Sequence, residues 1–183
     1  MNRGHVFWLF GLSGAGKTTL AGALEQRLAR EGRHSLLALD GDALRTGLCR
    51  DLGFSDEART ENIRRAAEVA RLAMHQGHVV VAAFITPRED LRAMVADIIG
   101  RGQVDLIWVD APLAVCRQRD PKGLYRRADA GGVPLLTGVQ SAFEPPVRPD
   151  LHLATAAGSP GEVGQILWDF CVARLTRGPQ PAC

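Results

Sequence analysis

The chain has 183 residues, of which 46% are apolar and 23% charged. That is the length of one domain with enough apolar content to bury a core, and it excludes a disordered chain. The formal net charge of +2 is too small for a nucleic-acid footprint, so no nucleic-acid partner is expected.

The elements follow in chain order. Val6–Phe10 is a short apolar run read as the first strand. It is too short to span a membrane or to serve as the core of a signal peptide, so no membrane association is expected. A helix is predicted from about Lys17 to Glu31, with Leu20, Leu24 and Leu28 on one face. Ser35–Leu39 reads as a second strand ending at Asp40. Glu57–Gln76 reads as a long helix with Ile63, Ala67, Ala70 and Met74 on one side. His78–Phe84 is continuously apolar, the pattern of a strand buried on both faces. Asp90–Gly100 is read as helical, Val104–Val109 as a fourth strand ending at Asp110, and Pro112 as the start of a helix reaching about Arg119. Asp120–Pro149 is rich in Gly, Pro, Lys and Arg and lacks periodicity, which marks it as a functional lid. Leu151–Ala154 is a short last strand. Gly161–Leu175 closes the chain as a helix with Val163, Ile166, Leu167 and Phe170 on its apolar side. The alternation predicts an α/β fold with a mostly parallel five-stranded sheet. Residues 1–177 are read as one domain and 178–183 as a flexible tail. Cys49, Cys116, Cys171 and Cys183 are widely spaced, with no C-x-x-C pair, as expected of reduced thiols in a cytoplasmic protein.

Gly11-Leu12-Ser13-Gly14-Ala15-Gly16-Lys17-Thr18, followed by Thr19, fits G-x-x-x-x-G-K-[ST] in full, between a strand and a helix. In such a loop the backbone N–H groups curl around phosphate oxygens. Lys17 reaches the β- and γ-phosphates, and the Thr18 hydroxyl ligates Mg²⁺. ATP and Mg²⁺ are the expected cofactors, and the fold expected is a P-loop fold of nucleotide-kinase type. The loop alone leaves kinase, GTPase and ATPase open. No N-K-x-D motif for reading guanine is present, whereas the lid-like segment suits a kinase. Asp40-Gly41-Asp42 stands at the carboxyl end of the second strand, where ligands bind in open α/β sheets. Its carboxylates can bind Mg²⁺ or accept a hydroxyl proton, although Asp42 also suits the N-cap of a following helix. Arg45, Arg59, Arg64 and Arg65 follow, some of them candidate anion clamps, and Phe54 is a candidate platform for a base.

These residues resemble the adenylylsulfate kinase family. The resemblance runs from about Phe7 to Leu153. It rests on the phosphate loop, on Leu39-Asp40-Gly41-Asp42, Leu52-Gly53-Phe54-Ser55-Asp56-Glu57 and Glu61-Asn62-Ile63-Arg64-Arg65, and on Arg119-Asp120-Pro121-Lys122-Gly123-Leu124-Tyr125 with Thr137-Gly138. It implies transfer of the ATP γ-phosphoryl group to the 3′-hydroxyl of adenosine 5′-phosphosulfate. By the resemblance, Asp42 is the acidic group near the attacking hydroxyl. Arg45, Arg59 and Asn62 hold the phosphosulfate end, and Phe54 stacks near its adenine. Lys122 and Leu124 belong to the lid, and Arg119 lies on the ATP side. Asp40 and Ile85 join the substrate-binding set, and Thr86 joins the catalytic set in place of a family serine. The resemblance also implies a homodimer and a functional association with ATP sulfurylase. The chain departs from the family at Ala43, Thr46, Thr86 and Arg88, at Leu136 (where a Phe sandwiches the adenine), and at Val139, Gln140 and Phe143. These departures leave two alternatives: a kinase with another nucleotide acceptor, such as a cytidine diphosphate derivative, or a catalytically silent nucleotide-binding partner.

Overall fold

The computed structural model describes residues 4–32, 34–131 and 136–176. Five parallel strands run in the order β2-β3-β1-β4-β5: β1 His5–Phe10, β2 Ser35–Asp40, β3 His78–Phe84, β4 Val104–Asp110 and β5 Leu151–Ala154. The helices are α1 Lys17–Glu31, α2 Gly41–Arg45, α3 Asp56–His75, α4 Glu89–Ile99, α5 Leu113–Arg119, α6 Leu124–Asp129 and α7 Pro160–Thr176.

Alternation along β1 builds two cores. Phe7 and Leu9 face the side covered by α1 and α7, where Leu20, Leu24, Leu28, Val163, Leu167 and Trp168 are buried. Val6, Trp8 and Phe10 face the side covered by α3 and α4, with Ile63, Ala67, Ala70, Met74, Leu91, Val95 and Ile99. The small side chains Ala66, Ala67 and Ala70 let α3 lie close to the sheet, beneath large aromatic rings such as Trp8. Both faces of β1 and β3 are therefore dry, as their unbroken apolar runs require.

The predicted strands and long helices are present within one or two residues of their expected bounds. Three details differ. First, Ile166 is about half exposed, and Trp168 and Cys171 take the buried face of α7 beside Val163 and Leu167. Second, the five-residue helix α2 follows Asp40 directly; it is too short to show apolar periodicity. Third, the segment read as an aperiodic lid contains α6. Asp120 starts that helix by accepting hydrogen bonds from the Tyr125 and Arg126 amides at 3.2 and 3.1 Å. Tyr125 and Ala128 are buried against the core, and the Tyr125 hydroxyl donates to the Ser13 carbonyl at 2.9 Å. The first half of this segment thus packs on the phosphate loop. The expected tail 178–183, with Cys183, lies outside the described residues. Cys49, Cys116 and Cys171 are free thiols, all buried. Among the described residues no helix is long and apolar enough to cross a membrane.

All five strands point their carboxyl ends at one edge. Phe10 is in register there with Phe84 and Trp108, and Asp40 pairs with Ala83 one residue earlier on β3. β1 leaves the sheet through Gly11, whose φ is 147°. A Cβ on Gly11 would stand 2.1 Å from the Val109 carbonyl oxygen, so only glycine lets the chain turn this close to β4. Gly11→Ala is expected to lower stability by roughly 2 kcal/mol or more, because rigid backbone must move. Urea unfolding checks this, and a loss within about 0.5 kcal/mol would show that the turn relaxes freely.

Candidate active site

The phosphate loop begins where β1 ends. Gly16 holds φ at 105°, and α1 starts at Lys17 with no side-chain cap on its first turn. The first-turn N–H groups of this 15-residue helix are therefore left for a ligand, and its partial positive charge favours an anion. Helix α2 is the opposite case. Asp40 is its N-cap, accepting from the Asp42 amide at 2.9 Å and the Ala43 amide at 3.4 Å. The capping role suggested for Asp42 thus belongs to Asp40, and the Asp42 carboxylate is free to point outward.

Lys17 is folded back in this state, and its Nζ donates to the Leu12 carbonyl at 2.7 Å. Burial, assisted by the nearby charge of Lys122, pulls its pKa down to about 8. The Thr18 hydroxyl donates to Asp40 at 3.1 Å, which leaves its lone pairs available to a cation. Hydroxyl and carboxylate oxygens are a hard donor set of the kind Mg²⁺ takes when phosphates supply the rest of its shell. Thr18, with Asp40 and Asp42 beside it, fits that ion.

A single cavity of about 1060 Å³ opens along the carboxyl edge of the sheet. Its volume is just above the roughly 300–1,000 Å³ typical of single-ligand sites. Its walls include Ser13, Gly14, Ala15, Gly16, Lys17, Thr18 and Thr19 from the phosphate loop and α1. Asp40, Asp42, Arg45, Phe54, Arg59, Asn62, Ile85, Thr86, Arg119, Lys122, Leu124 and Leu136 line it as well. Of the residues predicted for the site, only Gly11 and Leu12 are not in its walls. They lie behind it, one making the turn and the other holding Lys17.

Within the cavity the arginines divide by partner. Arg64 and Arg65 are consumed outside it: Glu61 binds both at 2.7 and 2.9 Å, and Asp51 takes Arg65 at 2.7 Å. Arg45 and Arg59 do line it. The Arg45 guanidinium sits 4.6 Å from the centre of the Phe54 ring and donates to the Gly53 carbonyl at 2.9 Å. Phe54 is 57% exposed, so one ring face is held and the other is open. Arg59 donates to the Phe54 carbonyl at 3.0 Å and to the Thr137 hydroxyl at 2.6 Å, joining the front of α3 to the far limb of the lid segment. Asn62 is buried beside it, with an amide oxygen that meets no partner.

Three positions have contacts that spacing does not specify. Thr86 is fully buried, and its hydroxyl accepts from the Trp8 indole at 2.9 Å, so it is turned into the sheet instead of toward a reacting group. Leu136 reaches the cavity but is itself buried in the core beneath α1 and α7. Lys122 forms an ion pair with Asp42, which draws the start of the lid segment across the site. Sequence reasoning also missed Thr155. This residue follows β5 and holds Arg119 on both its hydroxyl (3.2 Å) and its carbonyl (2.9 Å), while its own hydroxyl donates to Ala15. Its position just past a strand end was the available signal.

Residues 3–154 match the family model described as adenylylsulphate kinase. The chain belongs to the adenylylsulphate kinase family. A curated family relative, the adenylyl-sulfate kinase of Aeromonas hydrophila, is 55% identical over 151 residues, covering 82% of this chain and 76% of the relative. Among solved structures, the Mycobacterium tuberculosis APS kinase CysC in complex with AMPPNP and APS superposes with a TM-score of 0.89 at 38% identity, covering 94% of this chain and 99% of that one. The hexameric APS kinase from Thiobacillus denitrificans aligns with a TM-score of 0.71 at 29% identity, over 96% of this chain and 30% of that one.

The lowered Lys17 pKa makes nucleotide binding proton-linked. Phosphate oxygens favour the charged lysine, so binding raises its pKa from about 8 toward or beyond the ordinary 10.5. Between those values the free protein lacks a proton that the complex holds. ADP binding at about pH 9 is therefore expected to take up a fraction of a proton, and affinity is expected to fall as pH rises through this window. Calorimetry in buffers of different ionisation enthalpy measures the uptake. Binding heats at that pH that are independent of buffer would contradict it.

Proposed function

We propose that this chain is an adenylyl-sulfate kinase that transfers the γ-phosphoryl group of ATP to the 3′-hydroxyl of adenosine 5′-phosphosulfate. The products are ADP and 3′-phosphoadenylyl sulfate. The observation that carries the reading is the single cavity. It joins an uncapped helix N-terminus and Lys17 at one end to an arginine-and-aromatic pocket at the other. A nucleotide donor and an anionic nucleotide acceptor can share it face to face.

In this reading the α1 amides and Lys17 bind the β- and γ-phosphates of ATP, and Lys17 leaves the Leu12 carbonyl for them. Arg119, braced by Thr155, flanks the donor. Thr18 would hold Mg²⁺, which would supply charge neutralisation to the phosphates. Phe54 offers its open face to the acceptor base, while Arg45, Arg59 and Asn62 take the phosphosulfate. Asp42 accepts the proton of the attacking 3′-hydroxyl. Lys122 holds Asp42 before substrates arrive and passes to their anionic oxygens when they bind. Most of the rate enhancement comes from alignment and fixed charge, as phosphoryl transfer requires. The hexameric relative supports self-association of this chain. The expected homodimer, and a working association with ATP sulfurylase as the source of the acceptor, belong to the same reading.

Asp42→Asn is expected to lower kcat by about 10²–10⁴-fold, with the KM for ATP changing much less. A steady-state assay with both substrates decides this. Normal turnover with a raised acceptor KM would make Asp42 a binding residue only, and absence of turnover with adenylylsulfate in the unaltered chain would remove the assignment itself. Closure of the lid is expected to slow amide exchange across 120–131 when ADP and adenylylsulfate are both bound. Unchanged exchange in the ternary complex would mean that this segment is already closed.

A further inference from the structure

Thr86 lines the cavity between Ile85 and Pro87, yet its backbone has φ of 40°. A β-branched residue in this region is strained by about 1–3 kcal/mol, and such strain persists only where surrounding contacts over-determine it. Those contacts come from residues outside the site. Trp8, fully buried on β1 and stacked on Phe84 at 4.7 Å, donates its indole N–H to the Thr86 hydroxyl at 2.9 Å. Arg92, only 1% exposed on α4, donates to the Thr86 carbonyl at 3.0 Å. The preceding carbonyl, that of Ile85, accepts from the Gly11 amide at 3.2 Å.

The reach of Arg92 extends further. It donates to the Glu144 carbonyl at 2.9 Å, and Glu89 pairs with it at 2.8 Å. The Phe10 ring lies 5.1 Å from its guanidinium. Glu144 is tied back to the same wall, with its amide on the Pro87 carbonyl and its carboxylate on the Glu89 amide, both at 2.8 Å. A buried guanidinium thus joins the strained wall to the segment by which the chain leaves the lid. A buried cation is costly unless its donors are satisfied. Here the fork is used on two carbonyls and one carboxylate, a set of directions that lysine cannot reproduce.

We infer that Arg92 and Trp8 are positioning residues for the acceptor side of the cavity: they lock the strained Thr86 turn and so set where Ile85 and Pro87 stand. This rests on reading that side as the seat of the sulfate nucleotide. The two residues hold the Thr86 side of this wall and make no contact with Lys17 or Thr18, and the wall meets the phosphate loop through the Gly11–Ile85 main-chain bond, so their loss acts chiefly on the acceptor.

The test compares KM for acceptor, KM for ATP and kcat in the unaltered chain and in Arg92→Met, Arg92→Lys, Trp8→Phe, Thr86→Val and the Trp8→Phe/Thr86→Val pair. Arg92→Met is expected to raise the acceptor KM by about ten-fold or more while the ATP KM stays within about two-fold. Arg92→Lys keeps the charge beside Glu89 but loses the fork, so it is expected to recover only part of the loss. The indole–hydroxyl bond predicts that the double variant is no worse than the worse single one. Equal effects of Arg92→Met on both KM values, or none on either, would overturn the inference, as would additive effects of Trp8→Phe and Thr86→Val. If Arg92→Met does not fold, the Trp8–Thr86 cycle decides. The unaltered chain reports separately on the substrate: if it turns over another nucleotide in place of adenylylsulfate, the functional reading falls, and the same KM comparison with that acceptor still judges the positioning role.

Discussion

Gly11 is the joint on which the site depends. Its amide donates to the Ile85 carbonyl, and its missing side chain admits the Val109 carbonyl. One residue therefore fixes β1 against both neighbouring strands at the point where the chain leaves the sheet. From this joint the phosphate loop runs to one side and the Ile85–Pro87 wall to the other. The phosphate-loop side and the Ile85–Pro87 side of the cavity are thereby held at a set separation by main-chain contacts. In-line transfer needs that kind of fixed spacing, since little covalent chemistry is asked of the protein.

Around this frame several of the cations that face the cavity are each held by a protein oxygen or ring. Lys17 rests on a carbonyl, Lys122 on Asp42, Arg119 on Thr155, and Arg45 on backbone carbonyls and an aromatic face. The contacts of Lys17, Arg119 and Arg45 to neutral oxygens are weaker than contacts to phosphate or sulfate oxygens, so ligands can displace them, whereas Lys122–Asp42 is itself a charge-assisted pair. Arg64 and Arg65 show the contrast. Each is committed to carboxylates by charge-assisted bonds, and these hold Glu61 well below the usual carboxylate range, down to about 2. The Arg64 and Arg65 bonds to Glu61 lie within α3, while Arg65 also staples the helix to the stretch before it through Asp51 and the Leu48 carbonyl.

Much of this was legible in the sequence because it rests on short-range rules. The phosphate loop shows in its glycines and lysine. The strands show in apolar runs bounded by Asp40 and Asp110, and the long helices in residues such as Leu20, Leu24 and Leu28. What escaped depends on contacts between distant parts of the chain. Thr86 reads as an available hydroxyl until Trp8, far away in sequence, is seen to hold it. Arg92 is not marked by the helix pattern, and its role emerges only where its fork meets carbonyls from two loops. Asp40 and Asp42 were both marked, but which of them caps α2 depends on where the strand turns, and spacing alone does not specify that.

The same geometry bears on the departures from the family pattern, which were the reason to consider a different acceptor. Ala43 and Thr46 lie on or next to α2 and are absent from the described cavity wall, and the Thr46 hydroxyl is spent on the Ala43 carbonyl at 2.8 Å. Val139 packs against the core under α1, and Phe143 against the opposite core, beside Arg92. Among the departures, only Thr86 and Leu136 reach the cavity. Thr86 contributes backbone shape, since its hydroxyl is occupied. Leu136 contributes apolar surface from a side chain that the core already surrounds, so a larger ring there would need neighbours to move. None of these changes adds or removes a charge in the cavity wall, and Arg45, Arg59 and Asn62 all remain there. The arginine-and-amide lining of the cavity is therefore the part of the wall that the departures leave untouched.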